Sequence, residues 1–400
     1  MTDPTRLPEG EPPGHEENGP EGNGPDRSGP DAGARQNADA QAAAAGPDLD
    51  VAGQDAGQGV PAGRPAANPA DAQSGPSQAG SAQPAGAQGQ VADAPADNWV
   101  DSYAPPEARP FLRLSRADRP IGTWLLLLPC WWGALLGASA VPETAGWLTV
   151  WIIVGCGLGA FLMRGAGCTW NDITDRDIDD KVARTRSRPI PSGQVTVRGA
   201  LIWMSVQSVV ALAILLTFNL NAILLGILSL GLVAIYPFAK RFTWWPQVFL
   251  GLAFNWGALL AWTAQTGSIA LPAVFLYLAG ICWTIFYDTI YAHQDKEDDA
   301  LIGVKSTALL FGDNTLTWLR GFLVGTVVLM SLAVIYALAP LADPLKMSIG
   351  LCAAWAFGAH MNWQLGKLDN DDTETCLRLF RSNRDAGLIV ALFLAISLLV

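Results

Sequence analysis

Aromatic side chains are almost missing from the first quarter of the chain, where Trp99 and Tyr103 are the only Phe, Tyr or Trp residues before Phe111. Residues 1–108 consist largely of Ala, Gly, Pro, Gln and Asp, with 17 acidic and only 4 basic residues. A segment of this composition buries too little apolar surface to offset the entropy of ordering it. We therefore predict a disordered acidic tail over residues 1–108 and a folded domain over residues 109–400.

Targeting signals are missing as well. The tail has neither the basic start and apolar run of a secretory signal nor the Arg-rich, acid-poor composition of a mitochondrial transit peptide. This absence favours a bacterial protein of the cell inner membrane that inserts through its first membrane helix. Residues 109–400 hold 21 basic and 19 acidic residues, so the chain's net charge of −11 belongs to the tail and does not indicate a nucleic-acid partner.

Cysteine pairs and nucleotide loops are the last notable absences. The cysteines contain no CxxC and no Cys/His metal spacing, so we expect neither disulfides nor zinc; they are Cys130, Cys156, Cys168, Cys282, Cys352 and Cys376. No Gly-rich phosphate loop is present, so a nucleotide is not implied.

Long apolar runs dominate the chain from Pro120 onward. A bilayer span needs about 20 mostly apolar residues, and an isolated span must be helical to satisfy its own backbone. Nine segments qualify: 121–140, 146–165, 199–217, 220–237, 247–265, 271–291, 318–339, 346–365 and 386–400. The sequence thus predicts an all-α, multi-pass membrane bundle of about nine transmembrane helices, in contact with the lipid bilayer.

The distribution of Lys and Arg predicts the orientation of this bundle. From Arg113 onward, 19 of the 20 basic residues lie before span 1, after spans 2, 4, 6 and 8, or at the span ends that adjoin these segments, and only Lys346 lies at the opposite side. The positive-inside rule then places the N-terminus in the cytoplasm and the C-terminus outside. The long loops follow spans 2 and 6, so we expect an active site that faces the cytoplasm.

Two acidic clusters follow these same two spans. In the first, Asn171, Asp172, Asp175 and Asp179 share one helical face; in the second, Asp288, Asp295 and Asp299 do so. Either cluster alone is best interpreted as a solvated surface. Two clusters at one membrane level, each beside basic residues, instead favour a shared site, because carboxylates at a membrane edge are usually functional. Carboxylate oxygens suit Mg²⁺, which bridges them to phosphates, and nearby Lys and Arg complement phosphate oxygens.

These strings resemble the UbiA family of membrane prenyltransferases over roughly residues 110–400. The family's NDxxDxxxD motif is matched by Asn171, Asp172, Asp175 and Asp179, and its DxxxD motif by Asp295 and Asp299. Residues 116–124, 236–241, 291–299 and 302–308 resemble the 4-hydroxybenzoate branch, which acts in ubiquinone synthesis. The acidic motifs are common to the haem O, menaquinone, chlorophyll and homogentisate branches, which remain alternatives. The long acidic tail departs from the family pattern.

The resemblance implies a nine-helix domain that uses Mg²⁺ to transfer a polyprenyl group from polyprenyl diphosphate to the ring of 4-hydroxybenzoate. It implies metal ligands at Asp172, Asp175, Asp179, Asp295 and Asp299, and catalytic roles for Asp172, Asp175, Asp295 and Arg241. Substrate-binding roles fall to Asn171, Arg176, Lys181, Arg186, Lys240, Tyr291 and Lys305. Arg241, with Lys240 as its competitor, is the predicted partner of the acceptor carboxylate, although both residues also serve as topology signals.

A cation-coupled transporter is the alternative from a different functional class. Ion sites in transporters tend to lie at the membrane midplane on broken helices. The charges of this chain instead gather at one face, which favours the enzyme.

Overall fold

The structure is a computed structural model that describes residues 94–95, 97–180 and 185–400. Every regular element in these ranges is a helix. The α-helices are α1 (Trp99–Tyr103), α2 (Arg109–Leu114), α3 (Ile121–Ala140), α4 (Trp147–Asp179), α5 (Val197–Leu215), α6 (Leu220–Ile235), α7 (Ala239–Phe242), α8 (Pro246–Thr266), α9 (Leu271–Ala292), α10 (Lys296–Ile302), α11 (Thr307–Phe311), α12 (Thr315–Leu338), α13 (Pro344–Leu365) and α14 (Thr373–Leu399). The predicted all-α fold class is confirmed.

Eight helices in the described ranges are long and apolar enough to cross a membrane, and they correspond to eight of the nine predicted spans. The remaining predicted span, 346–365, forms α13, a 22-residue helix that packs against both α12 and α14. The predicted bundle therefore has its long helices where the apolar runs lie.

Two helices extend well beyond their predicted spans. Helix α4 continues to Asp179 and includes the first acidic motif, whereas the predicted span ends at residue 165. Helix α14 begins at Thr373, capped by the Asp372 side chain, whereas the predicted span begins at residue 386. Hydropathy marks where charges begin, but backbone hydrogen bonding continues through charged residues, so each helix projects a polar end beyond its apolar part.

The end of the predicted tail also differs from expectation. Residues 1–93 lie outside the described residues, but Trp99–Tyr103 form helix α1, whose N-cap Asn98 accepts a hydrogen bond from the Asp101 backbone N–H. Ordered structure therefore begins before the predicted boundary at residue 108.

Helix α3 lies at the centre of the bundle, packed against α4, α8 and α14. Its Trp132 is fully buried and meets Trp283 of α9 and Phe357 of α13, with ring centroids 5.1 and 5.5 Å away. The indole N–H groups of these two tryptophans are satisfied, since Trp132 donates to the Gly387 carbonyl and Trp283 to Asn383 Oδ1. Helices α5 and α6, by contrast, expose rows of Leu, Ile and Val, as expected for lipid-facing helices.

Candidate active site

A cavity of about 290 Å³ lies where the C-terminal ends of α4 and α9 meet. We call it the acidic cavity. Both acidic motifs line it together with basic side chains, and the charged or polar residues of its wall include Asn171, Asp179, Arg188, Lys240, Asp288, Tyr291, Asp295, Asp299 and Lys305. The two acidic clusters lie far apart in the sequence, but the fold brings them to one cavity, as a shared site requires.

The first motif lies on the last turns of α4, where helical spacing directs Asp172, Asp175 and Asp179 to one side. Asp172 and Asp175 are completely buried, and Asp179 is nearly so. Asp172 Oδ1 accepts a hydrogen bond of 2.6 Å from Arg116 Nη2, in the turn before α3. Its other oxygen, Oδ2, is buried and has no hydrogen-bond partner among the described residues.

The other two carboxylates of this motif are held by cations from different segments. Lys240 Nζ and Arg241 Nη2 lie 2.6 and 3.1 Å from the two oxygens of Asp175. Arg188 Nη1 lies 2.7 Å from Asp179 Oδ2. Buried carboxylates need such partners because an isolated buried charge is strongly destabilising.

The second motif lies where α9 gives way to the 3₁₀ turn His293–Asp295 and then to α10. His293 is buried, and its Nδ1 lies 2.8 Å from the Thr289 carbonyl, which fixes the turn that precedes Asp295. Helix α10 ends at Gly303 with φ of 73°, a left-handed conformation that glycine adopts without strain. That turn brings Lys305 back to the acidic cavity.

A second, largely apolar cavity of about 350 Å³ lies among α4, α5, α6 and α8. We call it the apolar cavity. Its wall includes Gly159, Leu212, Phe254 and Leu260, and Tyr236 lines both this cavity and the acidic one. The charged acidic cavity and the apolar cavity therefore adjoin each other at Tyr236.

Arg164 is the basic residue of the apolar cavity wall. It lies within the membrane-spanning part of α4, its guanidinium sits 5.3 Å from the Phe254 ring centroid, and its Nε is buried without a hydrogen-bond partner in the described ranges. Gly122 of α3 allows this position, because a Cβ there would come within 2.6 Å of the guanidinium.

Comparison with known proteins identifies the family. The profile of the UbiA prenyltransferase family matches residues 126–384, more than half of the chain. The chain belongs to the UbiA prenyltransferase family. A mitochondrial 4-hydroxybenzoate polyprenyltransferase of Aedes aegypti is 50% identical over 290 residues, which cover 72% of this chain and 63% of that protein. The enzyme of the same name from Arabidopsis thaliana is 49% identical over 294 residues, which cover 73% and 70%.

Solved structures agree on the fold. A UbiA homologue from Archaeoglobus fulgidus, bound to GPP and Mg²⁺, matches with a TM-score of 0.55 over 72% of this chain and 98% of that one. The two sequences are 21% identical, so this likeness shows a common fold. The predicted family, membrane fold and enzyme class are confirmed by these comparisons.

The predicted localisation is wrong. The relatives that are about half identical to this UbiA-family chain are named as mitochondrial enzymes of eukaryotes, not as proteins of a bacterial cell inner membrane. The error came from using the acidic composition of residues 1–108 as an argument against a mitochondrial protein.

The remaining predicted site residues fall into three groups. Arg241 contacts the first motif, but its side chain is 44% exposed and it does not line the acidic cavity. Arg176 and Arg186 are exposed: Arg176 lies beside Asp177, and Arg186 donates to the Asp180 carbonyl. Lys181 lies outside the described residues.

Sequence reasoning missed three arginines of this UbiA-family site. Arg116 binds Asp172, Arg188 binds Asp179, and Arg164 lines the apolar cavity. The sequence places Arg116 in a string that resembles the family and Arg188 among the basic residues beside the first motif, but it does not predict the carboxylate that each of them binds. Arg164 did carry a usable signal, since an arginine inside a predicted span is a functional candidate by default.

The turn before α3 has unusual electrostatics. Asp118 is 1% exposed, and its oxygens have no hydrogen-bond partner within the described ranges; burial raises the pKa of this carboxyl to about 6, against the lowering effect of Arg116. Burial alone would lower the pKa of Arg116, but the Asp172 carboxylate outweighs it and raises that pKa above its ordinary value. Arg116 is therefore a permanent positive charge beside the first motif.

The donor set suits a hard divalent cation, although no group of three or more Asp, Glu, His or Cys side chains is already gathered around one point in the described ranges. The buried Oδ2 of Asp172 lacks a partner among the residues that the structure describes, and Asp179, Asp295 and Asp299 line the acidic cavity from two sides. Oxygen ligands of this kind fit Mg²⁺, which binds through one or two carboxylates and substrate phosphates rather than a complete protein cage.

Proposed function

We propose that this chain transfers a polyprenyl group from polyprenyl diphosphate to the ring of 4-hydroxybenzoate within a membrane, in a reaction that depends on Mg²⁺. The observation that carries the proposal is the junction of the acidic and apolar cavities at Tyr236. A substrate with a charged head and a long apolar chain fits two adjoining spaces of this kind. The names of the relatives and the GPP and Mg²⁺ of the archaeal homologue support the same chemistry.

The acidic cavity is the proposed site of the diphosphate. Asp172 and Asp179 of α4, and Asp295 and Asp299 across the cavity, would hold Mg²⁺, which supplies a positive charge for the departing diphosphate. Lys240, Arg188 and Lys305 line the same cavity and complement the remaining phosphate oxygens. Asp175, bound by Lys240 and Arg241, serves in this proposal to orient those two cations.

The apolar cavity is the proposed site of the first isoprene units. Its volume of about 350 Å³ lies at the lower end of the range of about 300–1,000 Å³ that is usual for small-molecule pockets. A long polyprenyl chain therefore has to continue beyond it. Helices α5 and α6, which border the cavity, present exposed Leu, Ile and Val side chains, so the distal part of the polyprenyl chain can continue into lipid.

The acceptor carboxylate needs a desolvated cation, and we propose Arg164 for this role in place of Arg241. The Arg241 guanidinium is already bound to Asp175 and to the Thr174 carbonyl, in a partly exposed place. Among the described residues Arg164 Nε has no such partner, and the Arg164 side chain lines the apolar cavity together with Tyr236. A carboxylate in a water-poor site gains most from a charge-assisted bond.

In this arrangement the C1–O bond of the allylic diphosphate breaks and diphosphate leaves into the acidic cavity. The ring carbon ortho to the phenol oxygen bonds to C1 and loses one proton, which balances the reaction. The aromatic and apolar wall excludes water, so the cationic carbon reacts with the acceptor ring rather than with water. Tyr236 lines both cavities at the junction, and its aromatic ring is proposed to stabilise such a cation.

The test is the transfer of labelled prenyl from its diphosphate to 4-hydroxybenzoate by membranes that contain the protein, with and without Mg²⁺. Asp172→Asn and Asp295→Asn should abolish transfer while the protein remains folded. Asp177→Asn is the matched control on the same helix, because the Asp177 side chain is 86% exposed. Transfer to homogentisate or to a naphthoate instead would move the chain to another branch, and Mg²⁺-independent transfer would contradict the assigned metal site.

A further inference from the structure

Helix α1 contacts the turn that carries Arg116. Trp99 Nε1 donates a hydrogen bond of 2.8 Å to the Ala117 carbonyl. Two residues later, Asp101 Oδ1 accepts from Arg113 Nη2 at 2.6 Å and from Arg113 Nε at 3.1 Å. Neither side chain of this pair is much exposed, with 16% for Asp101 and 6% for Arg113.

Asp101 is itself held in place within α1. Asn98 Oδ1 accepts from the Asp101 backbone N–H at 3.0 Å, and Asn98 Nδ2 donates to Asp101 Oδ2 at 2.8 Å. The carboxylate therefore has a fixed orientation toward Arg113. A partly buried pair in which Asp101 Oδ1 accepts two N–H bonds from the Arg113 guanidinium contributes far more to local geometry than an exposed ion pair does.

The turn that α1 contacts has a strained backbone. Arg116 has φ of 58°, in the left-handed region, which is unfavourable for a residue with a Cβ. Such conformations persist only where the surroundings determine them from several sides, and they cluster at functional sites. The Trp99 bond fixes the carbonyl of Ala117, the residue that directly follows Arg116.

A continuous set of bonds runs from this turn to the acidic motif. Arg116 Nη1 donates to the Arg113 carbonyl at 3.2 Å, and Arg116 Nη2 donates to Asp172 Oδ1 at 2.6 Å. Asp101, Arg113, Arg116 and Asp172 are therefore linked in that order, from the surface of the protein to a completely buried carboxylate.

We propose that Trp99 and Asp101 are positioning residues of the active site. They hold the Arg113–Ala117 turn in the conformation from which Arg116 orients Asp172, and so they set the affinity for a magnesium–diphosphate group. The assignment of that group to Asp172 rests on the proposed function. Neither Trp99 nor Asp101 touches substrate, so the role is separate from catalysis.

The experiment measures protection of the purified full-length protein against thermal unfolding by Mg²⁺ with inorganic diphosphate, and separately measures steady-state kinetics. Asp101→Asn and Trp99→Phe should each raise the Mg²⁺–diphosphate concentration for half-maximal protection by about tenfold, the scale on which outer-sphere partners of a metal ligand act. The KM for prenyl diphosphate should rise by a similar factor, while the KM for the aromatic acid stays unchanged. Asp101→Glu, which keeps the carboxylate, should restore most of the affinity.

Glu107→Gln is the control, because it removes an exposed carboxylate from the same segment. Trp99→Phe keeps an aromatic ring and removes only the indole N–H donor, so this variant tests the proposal even if Asp101→Asn does not fold. The proposal would be overturned if a folded Trp99→Phe protein needed only the wild-type Mg²⁺–diphosphate concentration for half-maximal protection. It would also be overturned if the KM for prenyl diphosphate and the KM for the aromatic acid rose equally. A wild-type protein that prenylates no 4-hydroxybenzoate, but whose variants still differ in diphosphate protection, would refute the proposed function and leave this role standing.

Discussion

Replacement of Arg164 by alanine tests how the protein recognises its acceptor. The guanidinium lies inside the membrane-spanning part of α4, with a buried Nε that has no partner in the described part of the chain. A hydrogen bond to a charged group is worth roughly 1.5–3 kcal/mol, and each 1.4 kcal/mol is about tenfold in affinity. Arg164→Ala should therefore raise the KM for 4-hydroxybenzoate by about tenfold to hundredfold and leave the KM for prenyl diphosphate nearly unchanged.

Arg241→Ala is the competing variant. Its pair with Asp175 is 44% exposed on the arginine side, and exposed ion pairs contribute about 0–1 kcal/mol. The expected change in the KM for 4-hydroxybenzoate is therefore about fivefold or less. Arg164→Lys should recover little, since lysine cannot bind a carboxylate through two parallel bonds.

The assay varies each substrate at saturation of the other, in membranes matched for protein content. Arg198→Ala, at the exposed start of α5, controls for the removal of an arginine. A larger rise in the acceptor KM for Arg241→Ala than for Arg164→Ala would refute the assignment of Arg164. A rise confined to the prenyl diphosphate KM in Arg164→Ala would instead make this residue part of the diphosphate site.

Three further outcomes follow from the structure. Gly159 lines the apolar cavity with open space at its Cβ position, so Gly159→Phe should lower kcat/KM for long polyprenyl diphosphates by about tenfold relative to geranyl diphosphate. Gly157 also has open space at its Cβ position but does not line the cavity, so Gly157→Phe should have no such effect. Equal effects of the two substitutions would contradict the assignment of the apolar cavity to the prenyl chain. Deletion of residues 2–93 should leave specific activity within about twofold of the full-length protein, because a segment of this composition cannot form a core. Deletion of residues 2–104 also removes α1 and should lower the specific activity. Equal activities of the two truncated proteins would exclude α1 from the functional domain. Burial raises the pKa of Asp118 to about 6, so folded protein keeps a proton there that the unfolded chain releases near pH 4, and stability is lost as the pH rises from about 4 to 6. Asp118→Asn should therefore stabilise the protein by up to about 3 kcal/mol at pH 7.5 and much less near pH 4.5, and a pH-independent gain in melting temperature would refute the burial argument.

Helix positions followed from the sequence because membrane spans are specified by long apolar runs. The predicted span 271–291 corresponds to α9, which ends at Ala292. Predicted limits failed where a helix continues into charged residues, as α4 does to Asp179 and α14 does from Thr373. Helix α1 was missed because five residues with two aromatics carry no periodic signal, and its stability comes from contacts with a distant turn.

The first acidic motif, Asp172, Asp175 and Asp179, could be placed on one side of a helix from spacing alone. Its relation to the second motif was an inference from equal depth in the membrane, and the structure supplies the common cavity. Partners such as Arg116 for Asp172 could not be predicted, since 56 residues separate them. Choice among many basic residues at one membrane face depends on which of them the packing brings within reach.

The sequence by itself determined the helical membrane bundle, the family and the two carboxylate motifs, because hydropathy and helical spacing are local properties. Tertiary structure decided which charges meet. It placed Arg188 and Lys240 against buried carboxylates, left Arg176 and Arg186 at the surface, and set Arg164 at the wall of the apolar cavity beside Phe254. These pairings depend on how helices from distant parts of the chain pack together, since a charge gains a strong partner only where burial removes water from both.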